Sequence, residues 1–244
     1  MGDNTLIHLS RLIGLQRKLD VIAQNVANIG TDGFRARELS FREYLKPENG
    51  IDENGQKERP LSLTDASVPL TTTARGELHA TGSTLDLAID GDAFFVVKTD
   101  HGELYTKSGA FLVDRNGNIV TTDGYPVQGK TGPLQTGPTE GPLEVGADGI
   151  VTSKQRVLGQ LSLVRFARPE LLQPVGGNLL KAEESPQPAP LSKVMSGVVE
   201  KSNVSGAREM ARLGEITRAY ELAGGLLKNS QDVSDMNRLA EVPD

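Results

Sequence analysis

Cysteine is absent from the 244-residue chain, which excludes disulfides, thiolate catalysis and cysteine-held metals. Tryptophan is absent too, and all aromatic residues together make up 4% of the chain. Aromatic rings usually supply much of a core's buried area. Part of the apolar burial is therefore expected between helices or between subunits, not in one compact enzyme core. No apolar run approaches the ~20 residues that cross a bilayer, so no membrane insertion is expected. Met1 to Ser10 lacks a basic start followed by an apolar stretch, so passage out of the cytoplasm is expected to need no cleaved signal peptide. An excess of basic residues is lacking as well. The formal net charge is −6, and no nucleic-acid partner is expected. With 37% hydrophobic and 24% charged residues, the composition is neither that of a disordered chain nor that of a membrane-embedded one.

The strongest pattern present is helical and sits at both ends. Leu12, Leu15, Leu19, Ile22, Val26 and Ile29 alternate spacings of three and four, the signature of a narrow apolar seam. Arg11, Arg17, Lys18, Asp20 and Gln24 lie off that seam, and Gly30, Asp32 and Gly33 stop it. Near the other end, Leu213, Ile216, Tyr220, Ala223 and Leu227 repeat the spacing within a run from Ala207 to Asn237, with Ser205 placed to cap it. Gly224-Gly225 is expected to weaken the middle of this second helix, by about 1 kcal/mol per glycine relative to alanine. Helices with narrow seams are marginal when isolated in water. Pairing, with each other or with neighbouring chains, is what makes them stable.

The stretch between the helices reads as β structure. Pro and Gly cluster over Asn49–Pro60, Gly129–Pro142 and Ser185–Pro190. Short strand patterns occupy Leu85–Ile89, Phe94–Lys98, Phe111–Val113, Asn118–Thr121 and Gln160–Phe166. Asn116-Gly117 reads as a tight hairpin turn, and Asp90-Gly91 and Asp123-Gly124 as further turns. The expected class is α+β, with coiled-coil-forming N- and C-terminal helices on either side of a central all-β domain. The expected segments are 1–33 for the first helix, 34–78 for an extended linker or hairpin, 79–190 for the β domain and 191–244 for the last segment and helix.

Chemistry-bearing motifs mostly dissolve under their own requirements. Gly124 to Thr131 satisfies the spacing of a phosphate-binding loop, but Pro126 has no amide hydrogen to offer. Gly132-Pro133, Gly137-Pro138 and Gly141-Pro142 forbid the helix that must follow such a loop, so a strand-turn segment is the better reading. Asp114 to Asn118 resembles the start of a calcium loop, yet its glycine is misplaced and Tyr125 stands where the terminal acid belongs. His8, His79 and His101 fall in different segments, which gives no support for metal ligation. No nucleophile, acid–base pair or cofactor cradle stands out. No catalytic residue, metal or cofactor is assigned.

Four ordered stretches carry a resemblance. Asn25-Val-Ala-Asn28 followed by Thr31-Asp-Gly33-Phe34-Arg35 is similar to the signature that follows the first helix in flagellar rod and hook proteins. Leu85 to Val97, containing Asp90, Gly91, Phe94 and Phe95, resembles that family's most recognisable stretch, with Ala93 where the family usually has glycine. Tyr105 to Phe111 and Asp123-Gly124-Tyr125-Pro126-Val127 continue the match. Gly197 to Val204, with Glu200, Asn203 and Val204, resembles the entry to the family's last helix, within which Arg218 to Glu221 lies.

The resemblance implies a non-enzymatic axial subunit that assembles with copies of itself and other rod proteins after passing the flagellar export apparatus. Such a subunit would belong to the periplasmic rod of the basal body. The short chain leaves no room for the inserted outer domain of hook members, and the Glu200–Val204 wording favours proximal-rod over distal-rod members. It also implies that the terminal helices form a tube around the export channel while the β domain faces outwards and intersubunit contacts transmit torque. Leu12, Leu15, Leu19, Ile22 and Val26 would then pack against Leu213, Ile216, Tyr220 and Leu227 of the same or adjacent chains. The competing reading is a coiled-coil adaptor that binds one partner and does not polymerise.

Overall fold

The apolar spacing at each end of the chain produces the helices it predicts. In the computed structural model, which describes residues 2–46, 61–137, 142–154 and 156–240, helix α1 spans Gly2–Ala27 and helix α2 spans Gly206–Ala240. Helix α1 stops short of Ile29, which was expected on its seam and instead stands 39% exposed beyond the helix end. The reason is local. The Asn28 carbonyl accepts the Thr31 N–H at 3.2 Å, and the Asn28 side chain accepts the Thr31 hydroxyl at 3.1 Å, so the chain turns there.

Helix α2 starts just after Ser205, whose carbonyl accepts the first helical N–H, from Glu209, at 3.0 Å. It continues unbroken through Gly224-Gly225 to a length of about 52 Å. Nothing lies within 4 Å of a Cβ built on either glycine. Gly225→Ala is therefore expected to raise the stability of α2 by about 0.5–1 kcal/mol, read as a later helical melt by circular dichroism.

The chain forms two compact units, each discontinuous in sequence. One contains Met1–Ala27, Arg37–Leu70 and Ser205–Asp244. Within it α1 packs extensively against α2. Strands β1 (Arg37–Lys46) and β2 (Leu61–Thr71) pair as a two-stranded ribbon. The Pro- and Gly-rich stretch Asn49–Pro60 lies outside the described residues.

The other unit, Asn28–Ala36 with Thr71–Val204, is built among its described residues of β-strands and one short 3-10 turn, Pro169–Leu171. Its first strands are β3 (Leu78–Ala80), β4 (Leu87–Asp90), β5 (Phe94–Thr99), β6 (Gly102–Thr106), β7 (Phe111–Val113) and β8 (Ile119–Thr121). An antiparallel sheet of six strands has β5 and β6 at its centre, with Phe95 opposite Thr106 and Thr99 opposite Gly102. The strands Leu179–Lys181 and Gln173–Gly176 extend it beyond β6, and Leu163–Arg165 and Gln187–Pro188 extend it beyond β5.

Strand β5 explains its own unbroken apolar run. Side chains alternate between faces, and both faces of this strand are covered. Phe95 and Val97 enter the larger core with Leu87, Ile89, Phe111 and Val127. Phe94 and Val96 enter a second core with Tyr105, Phe166, Leu172 and Leu180. Phe95 meets Phe111 edge-on at 5.0 Å, and Phe94 meets Phe166 edge-on at 5.8 Å, which suits the ring quadrupoles. Ala93 is fully buried, so its methyl group is accommodated.

The segment after Pro190, grouped by sequence with the last helix, contributes two strands here. Lys193–Ser196 pairs with β4, and Val198–Glu200 pairs with β3. The Asn116-Gly117 hairpin exists but is wider than two residues. Gly117 donates to the Asp114 carbonyl and adopts φ +82°, and the first ladder pair is Val113 with Ile119. Asp114 in turn donates its N–H to the Asn118 carbonyl at 2.9 Å, which leaves a three-residue loop, 115–117, closed by a left-handed glycine.

Candidate functional site

The two helices run antiparallel. Residue Asn25 near the end of α1 meets Glu209 near the start of α2, and Lys18 shares a cavity wall with Ile216 one to two turns further along each helix. Ile22 and Ala223 are buried. Leu12, Leu15, Leu19 and Val26 on α1, and Leu213, Ile216, Tyr220 and Leu227 on α2, are half-buried. Within one chain, these positions of the two helices are therefore buried or half-buried.

A polar knot interrupts the seam at one end. The Asn25 side chain is 1% exposed; its Nδ2 donates to the Arg37 carbonyl at 3.0 Å and to Glu209 Oε2 at 3.4 Å. Its Oδ1 accepts the Arg37 N–H at 2.9 Å. One side chain thereby serves both backbone groups of the residue that opens β1, as a neighbouring strand would. Glu209, also buried, is held by Arg212 at 3.2 Å. Beside this knot lies a cavity of about 340 Å³ lined by Lys18, Val21, Ile22, Arg37 and Ile216 among others.

The intrachain pairing leaves other apolar side chains uncovered. Leu9 and Ile13 on α1 are 45% and 47% exposed, and Leu222 and Leu226 on α2 are 71% and 53% exposed. Each pair is four residues apart and so forms a one-turn stripe. These residues were not singled out by the seam, which by construction collects only the positions in a single alternation of three and four.

The β unit brings together segments that the sequence keeps far apart. Gly33 adopts φ +71° and donates to the Glu200 carbonyl at 2.6 Å. A Cβ there would lie 2.4 Å from the Lys107 carbonyl carbon, so the position admits only glycine. Gly33→Ala is expected to cost the β unit at least ~1 kcal/mol from the left-handed conformation alone, with the clash added to it, measured by denaturant midpoint. Phe34 is buried, and its carbonyl accepts the Asn203 N–H. Asn203 Oδ1 in turn accepts the Ala36 N–H at 2.6 Å, while its Nδ2 donates to the Ala74 carbonyl at 2.7 Å. Asp32 pairs with Lys201 at 2.7 Å.

At the centre stands a buried charge cluster. The Arg35 guanidinium bonds Glu200 at 2.7 Å and donates to the Thr73 carbonyl at 2.6 Å and to that of Ala74. Glu200 also accepts the Gly76 N–H at 2.8 Å. The Lys107 ammonium donates to the Gly91 carbonyl at 3.0 Å and sits 4.9 Å from the Phe94 ring centre. Burial, reinforced by Arg35 and Arg75 and opposed by Glu200 and Asp92, pushes the Lys107 pKa down to about 8. Burial likewise lowers that of Arg35, against the attraction of Glu200. All four motif stretches contribute here: Gly33 to Arg35, Gly91 to Phe94, Lys107, and Glu200 to Asn203. Asp90 is exposed and pairs with Arg75 at 3.0 Å, Phe95 belongs to the larger core, and Val204 is buried.

Gly124 and Tyr125 stand apart from that cluster in a surface turn. Gly124 has φ +87° and donates to the Thr121 carbonyl, and Tyr125 packs on the larger core. Downstream, Gln128–Gly129 and Gly132–Pro133 form a hairpin around Lys130 and Thr131, which is the strand-turn geometry expected in place of a phosphate loop. Asp114 Oδ1 accepts the N–H groups of Asn116 and Asn118, and its Oδ2 accepts the Asn118 side-chain amide at 2.7 Å. That side-chain bond holds the Asp114 carboxyl below the usual range, helped by the loop amides. The carboxylate closes its own hairpin.

Three family descriptions match the chain. "Flagella basal body rod protein" covers residues 6–35, "Flagellar hook protein FlgE/F/G D1 domain" covers 88–153, and "Flagellar basal body rod FlgEFG protein C-terminal" covers 195–237. The chain is 34% identical over 239 residues to the flagellar basal-body rod protein FlgF of Mesorhizobium japonicum, with 96% of each chain covered. It is 35% identical over 237 residues to FlgF of Caulobacter vibrioides, with 95% of each covered. It is 30% identical over 247 residues to the basal-body rod protein FlgG of Bacillus subtilis, covering 92% of this chain and 94% of that one.

Proposed function

The chain belongs to the flagellar basal-body rod protein family, and from that membership we propose that it is a structural axial subunit of the rod, at the FlgF or proximal position. The observation that carries this reading is likeness to FlgF over nearly the whole length of both chains, including both helical ends. The FlgG likeness makes the distal rod the alternative position. On this reading the protein works in the periplasm, arrives through the flagellar export apparatus, and has no catalytic role.

Assembly proceeds through the helices. The inward seam of Leu12, Leu15, Leu19, Ile22 and Val26 against Leu213, Ile216, Tyr220 and Leu227 holds each chain's helices together as a coiled-coil-like pair. The exposed stripes Leu9–Ile13 and Leu222–Leu226 then meet neighbouring subunits. Contacts of this heterologous kind do not close on themselves, so they propagate as a helical tube able to carry torque.

Two substitutions separate the roles. Leu19→Asp is expected to unpair the helices and abolish assembly while the β unit stays folded, because it sets an unpaired charge in the half-buried apolar seam. Leu222→Glu is expected to change monomer stability by no more than ~0.5 kcal/mol, since Leu222 is 71% exposed, yet to block assembly. Sedimentation together with electron microscopy of basal bodies reads both. Rods that are missing without the gene, and are restored by the natural sequence but not by Leu222→Glu, would support the reading. Intact rods without the gene would overturn it in favour of a non-polymerising adaptor.

A further inference from the structure

The β unit carries an open groove at one end of the β7–β8 ladder and an exposed tip at the other. The groove, of about 940 Å³, is walled by the loop after β5, by β6, by the turn after β8 and by the strands Gln173–Gly176 and Leu179–Lys181. Leu104, Tyr105 and Leu179 are buried in its floor. Asp100, Glu103 and Asp123 are exposed around it, and of the described Lys and Arg residues only Lys181 lines it, so the groove is negatively charged. Val175 also lines it and stands 53% exposed.

The tip has the opposite character. Leu112 and Val113 are 55% and 43% exposed, and Arg115 is exposed beside them. The nearby Asp114 does not cancel that charge outwards, because both its carboxylate oxygens are turned into the loop, onto Asn116 and Asn118. The same bonds order the loop in advance, so it loses little freedom on docking. The ladder runs from Val113–Ile119 to Phe111–Thr121, with Arg115 beyond its first pair and Asp123 beyond its last. Tip and groove therefore do not meet within one molecule.

We propose that the hairpin tip of one copy docks in this groove of the next copy, Leu112 over the apolar floor and Arg115 among the three carboxylates. An arginine brings a planar fork that matches carboxylates, and the Tyr105 and Tyr125 rings in the groove suit its guanidinium. The contact is heterologous: each copy offers its tip to one neighbour and its groove to another, so it extends from copy to copy. It rests on the reading that copies of this chain assemble, and adds to the helical contacts a second contact between β units.

The chain has no cysteine, so introduced cysteines report the contact without background. Full-length Asn116→Cys is mixed with full-length Val175→Cys under mild oxidation; in the control, Leu191→Cys, 92% exposed and outside the groove, replaces Val175→Cys. A disulfide forms only where the two Cα atoms come within about 7 Å. The expected result is a linked dimer on a non-reducing gel, formed roughly ten-fold faster than with the control or by either variant alone, and a ladder of multimers from a chain carrying both cysteines. Arg115→Glu and Glu103→Lys should each slow the linkage roughly ten-fold, and mutual restoration is expected when they are combined, because the charges then exchange places. Linkage no faster than with the control, or indifferent to both charge changes, overturns the proposal. The rod reading stands or falls separately, on basal bodies from cells lacking the gene.

Discussion

Glu200→Gln is expected to destabilise the β unit by about 3–5 kcal/mol, the range for removing one partner of a buried ion pair. The side chains of Arg35 and Glu200 are 7% and 3% exposed and bond at 2.7 Å, so the pair is desolvated on both sides. Gln preserves the shape and keeps an acceptor for the Gly76 N–H, so the loss isolates the charge. Without that charge, Arg35 and Lys107 face one another in the same buried region, and the exposed Asp92 is left as the nearby counter-charge. The denaturant midpoint of the β-unit transition reads the effect directly. Arg35→Met combined with Glu200→Met should cost clearly less than the sum of the two single changes, because no orphaned charge remains. Equal additivity, or a loss below ~1 kcal/mol for Glu200→Gln, would show that the cluster is open to water and the pair screened.

That cluster also marks where sequence reasoning reaches its end. Spacing alone gave both helices, because periodicity is a local property and the residues that make it lie within one or two turns. It gave β5 and the β7–β8 hairpin for the same reason. It placed the end of α1 two residues late, since Ile29 keeps the spacing but Asn28 turns the chain by bonding Thr31. A side chain's bonds to distant backbone leave no such trace. Asn25 lies three residues after Ile22, hence on the inward face, and a polar residue there is a signal that a partner exists. Nothing local names that partner as Glu209, 184 residues away, or Arg37. Arg35, Lys107 and Glu200 were legible only as letters inside three resemblance motifs. Their convergence depends on Val198–Glu200 pairing with β3 and on Gly33 closing against Lys107. Both are long-range choices fixed by the sheet as a whole. The exposed stripes were missed for a different reason: a seam rule selects the best single face of a helix and ignores a second.

The stability of the protein is expected to rise between pH 8 and pH 10, and Lys107 is the cause. Burial lowers its pKa from 10.5 to about 8, against the attraction of Glu200 and Asp92 and with the repulsion of Arg35 and Arg75. Below pH 8 both the folded and the unfolded chain hold the proton, so the full cost of burying the cation is present. Between pH 8 and 10.5 the unfolded chain binds more protons than the folded one, and stability rises with pH. The whole rise corresponds to about 3 kcal/mol at 1.36 kcal/mol per pH unit. Above about pH 10 Tyr105 works the other way, because burial and then Glu103 raise its pKa and disfavour the phenolate in the fold. The readable window therefore closes there. Urea unfolding at half-unit pH steps should give a rising midpoint for the natural sequence and a flat one for Lys107→Met across the same range. At pH 7 Lys107→Met should be at least as stable as the natural chain, since it removes an underpaired buried cation at the loss of one bond to the Gly91 carbonyl. A flat profile in the natural protein would mean that the Lys107 ammonium keeps its ordinary pKa in the fold, and a rise that survives Lys107→Met would assign the effect to another group.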